Sequence, residues 1–189
     1  MMMLNPGVRK AILFGAWFVW ILGLTALRKQ RLEKAVKVDP RARWGIGLVM
    51  AGYFIVCVHS PEFWNSDFDL GHALAGAVFA LVAIVVFRNA VANLGRQWRF
   101  DAGLNQDHEL VQTGVYRFVR HPIYASMLGM LLADVCWAGT LPGWPIGLVL
   151  FLIGTEIRIR VEDQLLRQRF GERFSQWQTS VPAYLPLIR

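Results

Sequence analysis

An all-α integral membrane protein with five transmembrane helices is the fold class this sequence predicts, and three observations predict it. Four long stretches, residues 11–27, 44–61, 70–87 and 135–155, contain no Asp, Glu, Lys or Arg. Apolar residues make up 55% of the 189 and charged residues only 17%, with a mean hydropathy of +0.38. Eighteen of the twenty Lys and Arg fall on one side once five spans are drawn. A small soluble body exposes too much of itself to be this apolar. About 20 apolar residues cross a hydrocarbon layer of about 30 Å, and flanking Arg and Lys lengthen a short span by snorkelling.

The first span is expected over residues 8–27, and the lack of a small-residue cleavage site after Leu27 makes it a retained helix. A basic loop follows from Arg28 to Arg43, with seven Lys or Arg against Glu33 and Asp39. The second span covers 44–60 and stops near Pro61, and the connection to 69 has acids but no Lys or Arg. The third covers 70–89. A polar segment carrying five Lys or Arg between 88 and 120 leads to the fourth span, which opens at Pro122 and ends near Trp137. Residues 139–145 form a return, and either Pro142 or Pro145 sits in the first turn of the fifth span, which reaches about Ile157.

The positive-inside rule then puts the carboxyl terminus in the cytoplasm and the amino terminus outside, with Arg9 and Lys10 mildly opposed. Tryptophans near span ends, Trp44, Trp137 and Trp144 foremost, read as an interfacial belt. Gly45, Gly47, Gly52, Gly71 and Gly76 are candidates for close helix contact. Asp134 is the main charge inside a span and is expected at the outer interface beside the return turn.

Composition also excludes several functions. The net charge of +7 lies in loops between spans, and no zinc-finger or RNA-binding aromatic spacing accompanies it, so no nucleic-acid partner is expected. Cys57 and Cys136 lie inside spans, and with no HExxH motif no metal is expected. There is no G-x-G-x-x-G loop for a dinucleotide.

Chemistry concentrates in two stretches, NLGRQWRFDAGLNQDHELVQTGVYRFVRHPIY from Asn93 and EIRIRVEDQLLRQRFGERFSQWQTSVPAYLP from Glu156. The second continues helix five as an interfacial helix to about Arg169, with Gly171 as its stop. Arg158 and Glu162 share a face of it, as do Glu156 and Arg160 on another, while Leu165, Leu166 and Phe170 supply an apolar side. Arg120 and His121 stand at the mouth of helix four. Each has a plainer reading, as a topology anchor and a backbone cap. A polar cofactor meeting an apolar acceptor suits this face.

The segments LGRQW, HELVQTGVYRFVRHPIY, RIRVEDQLLRQRFGERFSQW and VPAYLP, in this order and spacing, resemble the isoprenylcysteine carboxyl methyltransferase family, including its prokaryotic integral-membrane members. The resemblance implies one membrane domain over residues 1–189 with its catalytic half at about 93–186, in a bacterial or archaeal cell membrane. It implies methyl transfer from S-adenosylmethionine, with His108, Glu109, Leu110, Val111, Tyr116, His121, Tyr124, Glu162 and Asp163 around the cofactor. Asp163 stands where the family commonly has a second glutamate. Arg120, Arg158 and Glu162 are the candidate catalytic residues, either arginine being suited to an acceptor carboxylate.

The acceptor is expected to be apolar or lipid-linked, at best an isoprenylcysteine-like carboxylate, with membrane lipids as further partners. A phospholipid amine or a small thiol is the nearest alternative. A nicotinamide-dependent sterol reductase and a non-enzymatic membrane scaffold are the readings from other classes.

Overall fold

The computed structural model describes residues 2–25, 37–58, 68–99, 102–104, 107–138 and 143–184. Among the described residues six α-helices carry the fold: α1 (Pro6–Thr25), α2 (Ala42–Val58), α3 (Leu70–Leu94), α4 (Pro122–Ala138), α5 (Trp144–Phe170) and α6 (Glu172–Ser180). Their ends follow from local chemistry. The Asn5 side-chain Oδ1 accepts the Val8 N–H at 3.0 Å, and the Asp69 carboxylate accepts the His72 N–H at 3.2 Å, each meeting an orphan donor of a first turn. Pro122 and Pro145 occupy first turns, where a missing N–H costs nothing. Gly171 turns the chain with φ 54°, and its N–H closes α5 on the Arg167 carbonyl at 2.9 Å.

Four two-residue strands make short ties. β1 (Met3–Leu4) pairs antiparallel with β3 (Phe68–Asp69), and β2 (Lys37–Val38) with β4 (Gly103–Leu104). Much of the basic loop, the 59–67 connection, most of the 139–145 return and the end of the VPAYLP segment lie outside the described residues.

Helix five continues past its span as expected, because α5 runs unbroken over 27 residues to Phe170 and stops at Gly171, and a short amphipathic helix, α6, follows. Three expectations need correction. α3 runs to Leu94, five residues beyond the expected end. Asp134 is not a solvated residue at the end of a span. It is 1% exposed and accepts the Trp17 indole N–H at 3.1 Å, so a polar pair between α1 and α4 replaces solvation. Trp137 is no belt residue either: it is buried against α3 and donates to the Ala73 carbonyl at 3.2 Å. Trp44 and Trp144 do face outward.

Two tight helix pairs organise the bundle. α3 buries Ala73, Gly76, Ala80, Ala83, Phe87 and Ala90 on α4, a stripe of mostly small side chains that lets the axes approach. α2 and α5 run against each other through reciprocal glycines. A Cβ on Gly52 would stand 2.5 Å from the Gly147 carbonyl oxygen, and one on Gly45 would stand 2.6 Å from that of Gly154. The two glycines on each helix are seven apart, so both contacts fall on one seam. Gly147 and Gly154 had no sequence signal of their own. Gly47 meets nothing within 4 Å, and Gly71 meets only Asp69.

α1 packs on α3 and α4, and α2 on α5 and α4, whereas α1 and α2 share no extended contact among the described residues. The outward faces of the long helices carry Phe14, Phe18, Phe54, Leu74, Leu81 and Ile153, all roughly half exposed or more. So broad an apolar exterior is the reverse of a water-facing surface. α3 is long and apolar enough to cross a membrane, and Ala42–Cys57 and Pro122–Ala138 are apolar but shorter.

The seam gives a first prediction. Gly52→Ala should lower the unfolding temperature of the protein in detergent, by the equivalent of about 1–3 kcal/mol of overpacking. Gly47→Ala, with open space around it, should leave the unfolding temperature unchanged.

Candidate functional site

The site is assembled from three chain segments that meet at the carboxyl-terminal end of α3. Gly114, at φ 59°, turns the chain against the Asn93 side chain, where any Cβ would collide. The 3-10 turn that follows, Gly114–Arg117, points Tyr116 inward to 5% exposure. Tyr116 packs with Leu110, Ala90, Phe174 and Trp177, so α6 closes this cluster from the other side.

The chain then reaches Arg120 and His121, whose backbone N–H groups donate to Pro182 and Ala183 carbonyls at 2.9 and 2.7 Å. The tail after α6 is thereby strapped across the entry to α4. Arg120 adds a donation from Nε to the Val181 carbonyl at 2.9 Å and an ion pair with Asp163 Oδ2 at 2.6 Å.

One helical turn of α5 faces this strap. His121 bridges two adjacent acids, with Nε2 2.8 Å from Asp163 Oδ1 and Nδ1 3.4 Å from Glu162 Oε2. Glu162 Oε1 takes the Tyr124 hydroxyl and lies 3.3 Å from Arg158 Nη2, while Arg158 Nε donates to the Tyr124 oxygen at 2.6 Å. Gln178 of α6 donates to Asp163 at 2.9 Å.

Burial alone pulls the His121 imidazole down, but its bonds to Asp163 and Glu162 outweigh that and raise it to about 9. Burial likewise pushes both carboxyls up, and the His121, Arg158 and Arg120 partners bring them below their ordinary range. At neutral pH the cluster therefore holds three cations, Arg120, His121 and Arg158, against two anions, Glu162 and Asp163. Its net charge is one positive.

A cavity of about 940 Å3 begins at this cluster. Its polar end is lined by His108, Glu109, Arg120, His121, Arg158 and Glu162, with Leu110, Val111, Tyr116 and Tyr124 also on its wall. Its other end is apolar and runs between α1 and α2, past Trp20, Ile46, Met50 and Phe54. Met50 and Phe54 are 58% and 63% exposed, so the cavity wall there continues onto the outer apolar surface.

His108 Nδ1 is buried without a hydrogen-bond partner among the described residues. Burial, then Arg169 and Arg99, lower its pKa to about 4, so the ring is neutral and able to accept or donate one bond. A polar ligand with donor edges fits here: an unmet ring nitrogen, a partly exposed carboxylate on Glu162, and an apolar floor under both.

All the site residues expected from sequence except Asp163 line the cavity. Asp163 is directed away from it, into Arg120, His121 and Gln178. The arginines also separate. Arg120 is committed to Asp163 and to the tail carbonyl, whereas Arg158 lies alongside Tyr124 and Glu162 on the wall. Sequence reasoning missed Trp98, Leu165, Leu166 and Trp177 on the wall. The i, i+3, i+4 spacing of Glu162, Leu165 and Leu166 along α5 was the available signal.

Comparison with known proteins places this architecture. Residues 71–173, more than half the chain, match the phospholipid methyltransferase family model, and the chain belongs to that family. Among curated proteins it is similar to protein-S-isoprenylcysteine O-methyltransferase B of Arabidopsis thaliana, 26% identical, covering 67% of this chain and 62% of the relative. It is 30% identical to a probable protein-S-isoprenylcysteine O-methyltransferase of Oryza sativa subsp. indica, covering 67% of this chain and 64% of that protein. The chain thus spans less than two thirds of the length of these relatives. Among solved structures, it shares the fold of a eukaryotic intramembrane Ras methyltransferase, isoprenylcysteine carboxyl methyltransferase. The TM-score is 0.65 at 18% identity, covering 95% of this chain and 68% of that one.

Two outcomes follow from the cluster. Arg120→Ala should cost about 3–5 kcal/mol of stability, because it strands a buried carboxylate and releases the tail strap; thermal unfolding measures it. His121 is raised on folding, so its contribution is full below about 6.5 and lost as pH rises through about 9. The unfolding temperature of the wild type should fall more steeply between pH 7 and 10 than that of His121→Gln.

Proposed function

We propose that the chain is an S-adenosylmethionine-dependent membrane methyltransferase acting on the carboxylate of an isoprenylcysteine-like acceptor. The observation that carries this reading is the single cavity that joins a buried, net-positive charge cluster to an apolar passage between α1 and α2. Family membership and the names of the curated relatives support the same reaction class. In this reading α1–α4 and the first half of α5 are five transmembrane spans. The charge cluster lies at the cytoplasmic face, with the amino terminus outside and the carboxyl terminus cytoplasmic, as the loop charges favour.

Bound S-adenosylmethionine supplies an electrophilic methyl group on a sulfonium. His108, Glu109, Leu110, Val111, Tyr116, His121, Tyr124 and Glu162 would hold it, with His108 Nδ1 and the Glu162 carboxylate meeting its polar edges. Asp163 supports the site by fixing His121 and Arg120 rather than touching the donor.

Arg158, oriented by the Tyr124 hydroxyl, would align the acceptor carboxylate. That carboxylate is already ionised near neutrality, so its oxygen would attack the methyl carbon directly as the carbon–sulfur bond breaks and the sulfur departs as a neutral thioether, and no base is needed. What the chain supplies is alignment and removal of water from the nucleophile. An acceptor anion also neutralises the one uncompensated positive charge of the cluster. A phospholipid amine is less well served, since it must lose a proton, and His121 is already protonated while both acids are paired.

Purified protein given labelled S-adenosylmethionine and a panel of a prenylcysteine, a phosphatidylethanolamine and a hydrophobic thiol tests this. A base-labile product from the prenylcysteine is expected, since methyl esters hydrolyse and N- or S-methyl groups do not. Base-stable label on the amine or the thiol would overturn the carboxylate assignment. Glu162→Gln should weaken S-adenosylmethionine binding about tenfold or more, while Arg158→Ala should raise the acceptor KM by a similar factor and spare donor binding.

A further inference from the structure

Among the described residues, the apolar end of the cavity reaches no further than a set of aromatic rings, each tied by a hydrogen bond. Running outward, no described residue before Trp17 on α1, beyond Cys57 on α2, or beyond Met127 on α4 lines it. From Ile46 to Cys57 the lining follows α2 for about 16 Å, at about 1.5 Å per residue. At that depth Trp17 meets Tyr53 edge-on, ring centroids 5.3 Å apart, across two helices that share no extended contact among the described residues. Trp17 also packs edge-on against Trp20 at 5.6 Å, and Trp20 stacks on Phe87 at 4.3 Å. The result is a wall of rings from α3 to α2.

Each polar tip in this wall is anchored on α4. The Trp20 indole donates to Ser126 at 2.8 Å, and the Tyr53 hydroxyl donates to the Met127 carbonyl at 2.5 Å. The Trp17 indole is shared between both oxygens of Asp134, at 3.1 and 3.3 Å. Cys57 Sγ lies 3.8 Å from the same carboxyl. A carboxyl buried among neutral partners inside an apolar bundle is costly to keep, and nothing in methyl transfer uses it. Its effect is to lock the rotamer of one ring.

We infer that Trp17 is the floor of the acceptor site and sets the lipid chain length that fits it best, with Asp134 as the positioning residue that holds the ring in place. This rests on the proposed acceptor being lipid-linked. An apolar chain entering from the polar end would run along α2 and meet the Trp17 face, Tyr53 and Cys57. A chain too long for that depth must turn at the rings and leave sideways past Met50 and Phe54, which face outward, so only a chain of matching length keeps its whole tail against the floor. Discrimination therefore falls on chain length and not on donor binding.

The test uses the full chain in detergent and reads the affinity of geranyl-, farnesyl- and geranylgeranyl-cysteine without a methyl donor. Trp17→Ala should raise the ratio of geranylgeranyl to geranyl affinity about tenfold, the scale at which a hydrophobic pocket discriminates by size. Cys57→Phe, which adds bulk at the same floor, should lower that ratio, and serves if Trp17→Ala does not fold. Asp134→Asn keeps an acceptor oxygen for the indole and should keep the wild-type ratio, while Asp134→Leu should move it toward that of Trp17→Ala. An unchanged ratio in a folded Trp17→Ala or in Cys57→Phe overturns the inference, as does a wild type that binds none of the three. Binding with the expected ratios but without methyl transfer would strike the proposed reaction and leave the floor standing.

Discussion

His121 between Glu162 and Asp163 is the contact on which the candidate site depends. Two adjacent carboxylates on one helix would repel each other and resist burial. A protonated imidazole set between them, with Arg158 and Arg120 at the outer ends, converts that cost into a line of alternating charge. Because the five groups come from the entry to α4 and from one turn of α5, the line also fixes how those two helices meet. The tail strap on the Arg120 and His121 backbone and the Gln178 bond from α6 join the same line. Removing the imidazole would therefore loosen three elements together.

The second constraint is steric. α2 reaches α5 only because Gly45, Gly52, Gly147 and Gly154 leave backbone against backbone. A Cβ on Gly45 would also stand 2.6 Å from the Arg158 Cγ, so the same seam presses on the residue assigned to the acceptor. With α2 drawn to α5 and α1 drawn to α3 and α4, a gap is left between α1 and α2. The apolar half of the cavity occupies that gap. Its shape is thus a by-product of where the small residues lie, and its depth is set by the anchored rings of Trp17, Trp20 and Tyr53.

Much of this was legible in the chain. Runs without charge locate the helices, Pro122 and Gly171 mark a start and a stop, and the HELVQTGVYRFVRHPIY and RIRVEDQLL segments name most residues of the polar cavity end. What was not legible shares one physical cause: it depends on partners distant in sequence. Asp134 looks like an interfacial charge until Trp17, 117 residues away, is found beside it. Trp137 looks like a belt residue until Gly76 opens space for it. Asp163 and Glu162 are neighbours with the same chemistry, and no local pattern tells which one faces a ligand and which one faces Arg120.

By itself, then, the sequence determined which segments are too apolar for water, where helices begin and end, and which polar residues are numerous enough to form a site. Those are properties of composition and of neighbours within a turn or two. The division of labour between Arg120 and Arg158, the turning of Asp163 away from the cavity, and the closed end at Trp17 were decided by the tertiary structure alone. Each follows from a contact between segments about 30 to 120 residues apart, and only packing chooses among the partners a charged or aromatic side chain could take.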